Sequence, residues 1–284
     1  MKSTYIKIKI QYCLMLVLAS LIVLGITVQS CNKEEDMPLV LDEEILNSTE
    51  LEEFVIAGID FYQSLAIFSE GLKKLNYFDL EVTYDAEGRE IRHIPPALIG
   101  NIRIEEKIYA LNIQKDKLRK KYPQLISFRK DIGGKYIEHS IKHSVNVKTE
   151  MLRMGIDIAR PKLKNGNEPW DVILSWFAED LPILFNQLMN WVNSSGYKEL
   201  AILVNVDGSF TTYLDPAATD TSCSVPFDII NGKRYFGGKQ VWGFGHTHKY
   251  SPSPSDADSA SARNRPDIAH FIFYNYDIYS FTGY

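Results

Sequence analysis

The sequence predicts an α+β protein in which a mainly helical first half precedes a half of interleaved helices and strands. Two patterns carry this prediction. Leu51, Phe54, Val55, Tyr62, Leu65, Phe68, Leu72 and Leu75 recur with a helical period. Farther on, alternating stretches flank Asp207-Gly208, a two-residue hairpin signal. The proportions agree: 284 residues, 45% apolar and 24% charged, describe a globular chain able to bury one large core or two modest ones.

Taken in order, the elements follow local chemistry. Thr49 and Glu52 fit a capping box ahead of the first apolar stripe. Asp85-Ala86-Glu87-Gly88 lies between short alternating stretches from Val82 to Ile94 and predicts a hairpin. A helix is expected from Ile104 to Tyr122, where Pro123 stops it. The run Lys115, Lys117, Arg119, Lys120 and Lys121 on that helix reads as a solvated face. Another helix is expected after Gly133-Gly134, with Ile137, Ile141 and Val145 on one stripe. The polar, turn-rich stretch from Pro161 to Pro169 is the best candidate boundary, placing a helical region at 31–165 and a second domain at 166–284. In that second part Asp180 can cap a helix carrying Leu184, Leu188, Trp191 and Val192. Lys198–Val206 and Phe210–Leu214 form the arms of the Asp207-Gly208 hairpin. Gln240–Gly245 is a further strand, and Ile268–Tyr274 with Ile278–Phe281 make a closing pair.

The first thirty residues read as an address. Lys2, Lys7 and Lys9 precede an uncharged apolar run from Tyr12 to Val28, as in an export signal, although the run also approaches the length of a membrane span. Val28-Gln29-Ser30-Cys31 resembles a bacterial lipobox. That resemblance implies cleavage after residue 30, lipid on Cys31, and anchoring at the outer membrane or cell surface. The cluster Asn32-Lys33-Glu34-Glu35-Asp36 resembles the export tag of surface lipoproteins, and reads equally as a solvated tether. Removing residues 1–30 takes three lysines away and leaves 28 basic against 36 acidic residues, a net charge of −8. Such a balance disfavours nucleic acid as a partner and broad adhesion to anionic lipid. With Cys13 in the signal and Cys31 lipidated, Cys223 has no partner and no disulfide is expected.

Two histidine pairs compete for chemistry. His139 and His143 share a helical face but have no acidic residue in metal-motif order, and they lie off the apolar stripe. His246-Thr247-His248 ends a predicted strand, whose period of two puts both imidazoles on one side. Ser255-Asp256-Ala257-Asp258 follows after a short loop, and as S-x-x-D it also reads as a capping box. Two imidazoles and a carboxylate suit Zn²⁺, with a fourth position left for water. His93 and His270 are isolated.

The order His-x-His then Ser-x-x-Asp resembles the JAB/MPN metalloproteases, known as JAMM, over roughly residues 170–284. The family also carries a glutamate at an early strand start, where this chain has Glu199. The resemblance implies a central mixed sheet with flanking helices and a zinc site made by His246, His248 and Asp258. It implies Glu199 as the base that holds the water, with Glu179 and Glu168 the other acids nearby, and Ser255 as the oxyanion donor. Lys249 stands where the family commonly has Pro, and nine residues rather than ten separate His248 from Asp258. The expected function is zinc-dependent hydrolysis of a peptide or isopeptide bond in a peptide or protein substrate. The alternatives are a non-catalytic binding or assembly module on the same scaffold, and a toxin-type JAB domain.

Overall fold

A computed structural model describes residues 41–127, 130–156, 181–194, 198–215 and 225–282. The expected leader and Cys31, the turn-rich stretch at 161–169, Asp180 and Cys223 lie outside the described residues. No helix among the described residues is long and apolar enough to cross a membrane.

After a single turn, α1 (Glu43–Leu46), the long helix α2 (Thr49–Leu72) buries Leu51, Phe54, Val55, Ile59, Tyr62, Phe68 and Leu72. Its cap is Ser48 rather than Thr49, because the Ser48 hydroxyl accepts the Leu51 N–H at 3.3 Å. Glu52, expected to complete the box, instead accepts from Ser144 Oγ at 2.7 Å and Asn146 Nδ2 at 2.8 Å. The predicted hairpin forms as β1 (Glu81–Tyr84) and β2 (Glu90–His93).

Helix α3 (Ile104–Lys121) packs against α2 and ends one residue before Tyr122, ahead of Pro123. Its basic run is not a free solvated face. Lys115 is fully buried and bonds Asn112 Oδ1 at 3.3 Å. Lys117 and Lys121 reach Glu53 and Glu50 of α2. Arg119 donates to the carbonyl oxygens of Val192 and Ser194, covering the carboxyl end of a later helix. Lys117, Lys121 and Arg119 therefore tie helices together, although exposed ion pairs such as those of Lys117 and Lys121 are each worth only about 0–1 kcal/mol.

Helices α4 (Gln124–Ser127), α5 (Lys130–His143), α6 (Val145–Arg153) and α7 (Leu181–Asn193) complete the helical layer. Gly133 and Gly134 lie inside α5 instead of before it. Gly133 faces the Met189 side chain of α7, so the missing Cβ is what lets the two helices approach. Val145 opens α6 and is exposed, while Ile137 and Ile141 are buried.

The remaining strands are β3 (Leu200–Asn205), β4 (Phe210–Leu214), β5 (Asp228–Ile230), β6 (Lys233–Phe236), β7 (Lys239–Thr247), β8 (Ala269–Tyr274) and β9 (Asp277–Phe281). Helix α8 (Asp256–Asn264) joins β7 to β8. The main sheet runs β1-β2-β9-β8-β7-β3-β4, with β5 and β6 hung from β7. Every pairing is antiparallel except β7 with β8, which is parallel through the α8 crossover. This is a mixed sheet with helices against it, an α+β fold.

Strand β3 is buried at every position, because both sheet faces are apolar there. Leu200, Ile202 and Val204 join the large helix–sheet core, and Ala201 and Leu203 join a smaller one with Val241, Phe244 and Ile268. The described residues, from Leu41 onward, form one compact unit. Strands from both sides of the expected 165/166 boundary lie in one sheet, and helices from both sides share the large core.

Candidate metal centre

The site gathers where β7 ends. Ala201 pairs with His246 across the β3/β7 ladder, so Glu199, just before β3, is carried to the level of His248. Thr247 secures this end by accepting the Leu200 N–H on its hydroxyl at 3.1 Å, and the His248 N–H donates to the Phe273 carbonyl at 2.9 Å. Strand alternation then puts both imidazoles on one side, with ring centroids 4.8 Å apart. Helix α8 starts close by and delivers Asp258 in its first turn.

The donor atoms converge. His246 Nε2 lies 3.0 Å from His248 Nε2, 3.1 Å from Asp258 Oδ1 and 3.6 Å from Glu199 Oε2. His248 Nε2 lies 3.5 Å from Asp258 Oδ2. Four ligands on a tetrahedral ion with bonds of about 2.0 Å would be about 3.3 Å apart, and these separations bracket that value. Glu199, His246 and His248 each offer a ligand atom within 4.8 Å of the others, a group that can hold a metal ion. The surroundings fit that use. His248 is oriented by the Ser251 carbonyl 3.1 Å from Nδ1, which leaves Nε2 aimed inward. His246 has no equivalent anchor, because its Nδ1 is buried with no hydrogen-bond partner.

Ser255 caps α8 in a complete capping box. Its N–H and its hydroxyl both reach Asp258 Oδ2 at 2.7 Å, and the Asp258 N–H donates back to Ser255 Oγ at 3.2 Å. Ser255 thus holds Asp258, and its hydroxyl would have to turn away to serve an oxyanion.

The two carboxylates are driven in opposite directions. Burial pushes the Glu199 carboxyl up, and the neighbouring imidazoles only partly offset it. Burial acts the same way on Asp258, but hydrogen bonds from His246 and His248 outweigh it and hold that carboxyl well below the usual range. His248 is disfavoured as a cation by burial, yet Asp258 and Glu199 leave its pKa raised overall.

The other expected positions separate clearly from this group. The rings of His139 and His143 lie tilted against each other with centroids 4.5 Å apart but belong to no three-ligand group among the described residues. His93 is bonded to Asp277 and Thr83, and His270 sits against the Arg265 carbonyl. Glu168 and Glu179 lie outside the described residues.

Sequence reading missed the wall beside the site. A cavity of about 270 Å³ is lined by Lys198, Glu199, Thr247, Lys249 and Tyr250 on one side and by Glu105, Ile108, Tyr109 and Asn112 of α3 on the other. Asn112 also meets the Lys198 backbone, with Nδ2 3.4 Å from the carbonyl and Oδ1 3.5 Å from the N–H, next to Glu199. The signal was present as polar Glu105, Asn112 and Lys115 on the packed face of a helix. A larger cavity, about 450 Å³ and lined by Tyr62, Asn190 and Thr212 among others, touches none of the four site residues.

Comparison with protein-family models, curated proteins and solved structures returns no match for this chain.

Proposed function

We propose that this protein is a zinc-dependent hydrolase of peptide or isopeptide bonds, with a JAB/MPN-like catalytic half. The carrying observation is the convergence of two imidazoles and two carboxylates at the end of β7, the carboxylates in opposite electrostatic states. His246, His248 and Asp258 would hold the ion. Bound there, Zn²⁺ supplies a Lewis acid and a water that ionises near neutral pH.

The chain's own groups divide the remaining work. Asp258, kept anionic, suits a ligand. Glu199 has a raised pKa and is the most accessible of the four, so it suits a group that takes a proton on Oε2 and delivers it to the leaving amine. Ser255 fixes Asp258 and, once its hydroxyl turns, can donate to the developing oxyanion.

Gently purified protein is expected to contain stoichiometric zinc by elemental analysis. His246→Ala should lose it, because three ligands become two, while His139→Ala with His143→Ala should leave it unchanged. Wild type that neither contains nor takes up zinc would overturn the reading and leave a binding module on the same scaffold.

The anchor is the second part of the proposal. Lipid on Cys31 would hold the protein at the outer membrane or cell surface, so Cys31→Ala should release it from membranes or leave it unprocessed. Unchanged fractionation and mature mass would refute the anchor without touching the site.

A further inference from the structure

Glu199 stands just ahead of β3, and the residues on either side of it are gripped by side chains from two different elements. On one side, the Leu200 N–H donates to the Thr247 hydroxyl at 3.1 Å. Thr247 lies between the two histidines, so this bond ties Glu199 to the metal ligands. On the other side, Asn112 of α3 takes both peptide groups of Lys198. Its Nδ2 donates to the Lys198 carbonyl at 3.4 Å, and the Lys198 N–H donates to its Oδ1 at 3.5 Å. A primary amide offers a donor and an acceptor side by side, so Asn112 pairs with Lys198 as a residue of a neighbouring strand would.

Asn112 occupies a position where a helix ordinarily carries an apolar residue. Ile108, Asn112 and Lys115 fall on one helical stripe, with Leu111 and Leu118 on the same packed face. Asn112 and Lys115 are each only 1% exposed. A buried amide or ammonium is costly unless it recovers the hydrogen bonds it loses to water. Here Asn112 recovers them from Lys198 and from Lys115, whose Nζ donates to Asn112 Oδ1 at 3.3 Å. With an ammonium on Oδ1, the amide is fixed in the sense that turns Nδ2 to the Lys198 carbonyl.

Glu199 is the group whose placement this grip controls. Its Oε2 lies 3.6 Å from His246 Nε2, and a carboxylate that moves a proton has to keep such a distance. Misplacement of a reacting group by 1 Å can cost about 10²-fold in rate. Asn112 belongs to the helical first half of the chain, whereas Glu199, His246, His248 and Asp258 all belong to the second.

We propose that Asn112 is a positioning residue for Glu199, which it holds in register with the metal ligands through the Lys198 backbone. The helical half of the chain thereby supplies part of the active arrangement. The anchor rests on the hydrolase reading only for its effect on rate, because its hold on Lys198 can be measured without turnover.

The test uses the full chain loaded with Zn²⁺ and follows amide hydrogen exchange, zinc content and cleavage of a quenched-fluorescence library of peptides and lysine-linked isopeptides. Asn112→Ala should speed exchange of the Lys198 amide about fivefold more than that of Leu203, in the middle of β3. Zinc content should stay unchanged, and the cleavage rate should fall about tenfold or more. In the Glu199→Gln background the same change should cost less than about twofold, because no base is left to position. Asn112→Asp keeps the size and the acceptor but removes the donor. It should follow the same pattern at smaller amplitude, and it replaces Asn112→Ala if that chain does not fold. An undiminished rate, an equal loss with and without Glu199, or unchanged exchange at Lys198 would each overturn the positioning role. In an active wild type, any of these would leave the hydrolase reading standing. A zinc-loaded wild type that cleaves nothing would remove the hydrolase reading, and exchange alone would then decide whether Asn112 holds Lys198.

Discussion

Glu199→Gln is expected to keep its zinc and lose about 10²- to 10⁴-fold in hydrolytic rate, the usual range for general acid–base catalysis. Gln preserves the size of the side chain and its hydrogen-bonding reach but cannot accept a proton near neutral pH. The site itself gives the reason for separating the two effects. Asp258 touches both imidazoles and is held anionic, whereas Glu199 reaches His246 at a longer 3.6 Å and is shifted toward its protonated form. Asp258→Asn should accordingly weaken zinc binding, through loss of an anionic ligand, and Glu199→Gln should not. Zinc content and rate measured on the same preparations decide this. Full activity in Glu199→Gln with loss in Glu179→Gln or Glu168→Gln would move the base to another residue. Silence of all three in a zinc-containing protein would make the metal structural and the hydrolase reading wrong.

Gly245→Ala should destabilise the fold by about 3 kcal/mol, at the upper end of the usual cost of overpacking. Gly245 is paired with Phe271 in the parallel ladder, and a Cβ there would run into the Phe271 ring and come within 2.5 Å of its carbonyl oxygen. A ring can rotate, but a ladder carbonyl cannot move without breaking the β7/β8 pairing. His246 is the next residue, so the same shift would pull one imidazole out of the metal group. Gly134→Ala is the matched control. A Cβ there meets only Phe185 at 3.9 Å, an ordinary contact, and a helical Ala in place of Gly gains up to about 1 kcal/mol. Chemical denaturation of both variants tests the packing. A Gly245→Ala midpoint equal to wild type would show that β7 and β8 are not so closely joined.

Local signals in the sequence were read well where they depended on neighbours in the chain. The α2 stripe, the Asp85–Gly88 turn, the stop at Pro123 and the Asp207-Gly208 hairpin each depend on a few adjacent residues, and each appears. His246 and His248 were legible for the same reason, since strand alternation alone puts them together. Readings that depended on distant partners failed. Thr49 reads as the cap because Glu52 stands three residues on, but Glu52 is occupied by Ser144 and Asn146 at the start of α6. Lys115 looks solvated in a run of cations and is buried because α3 turns that position inward. Gly133 resembles a helix start, and its purpose is visible only once Met189 lies against it. Glu105 is legible only as a polar residue on the packed face of α3, and nothing in its own segment reveals that the β8–β9 turn meets it through the Asn275 N–H.

The pairing of β2 with β9 has a consequence in time. Ile91 is matched with Tyr279, 188 positions later, and β9 lies between β2 and β8. During synthesis at about 5–20 residues per second, the β1–β2 hairpin therefore waits about 10–40 s for its neighbour strand to exist. Throughout that interval the edge of β2 presents unsatisfied N–H and C=O groups, a template for strands of other chains. Completion of the sheet thus waits for synthesis of β9, and loss of Asp277–Phe281 would expose an edge on each side of the gap, at β2 and at β8.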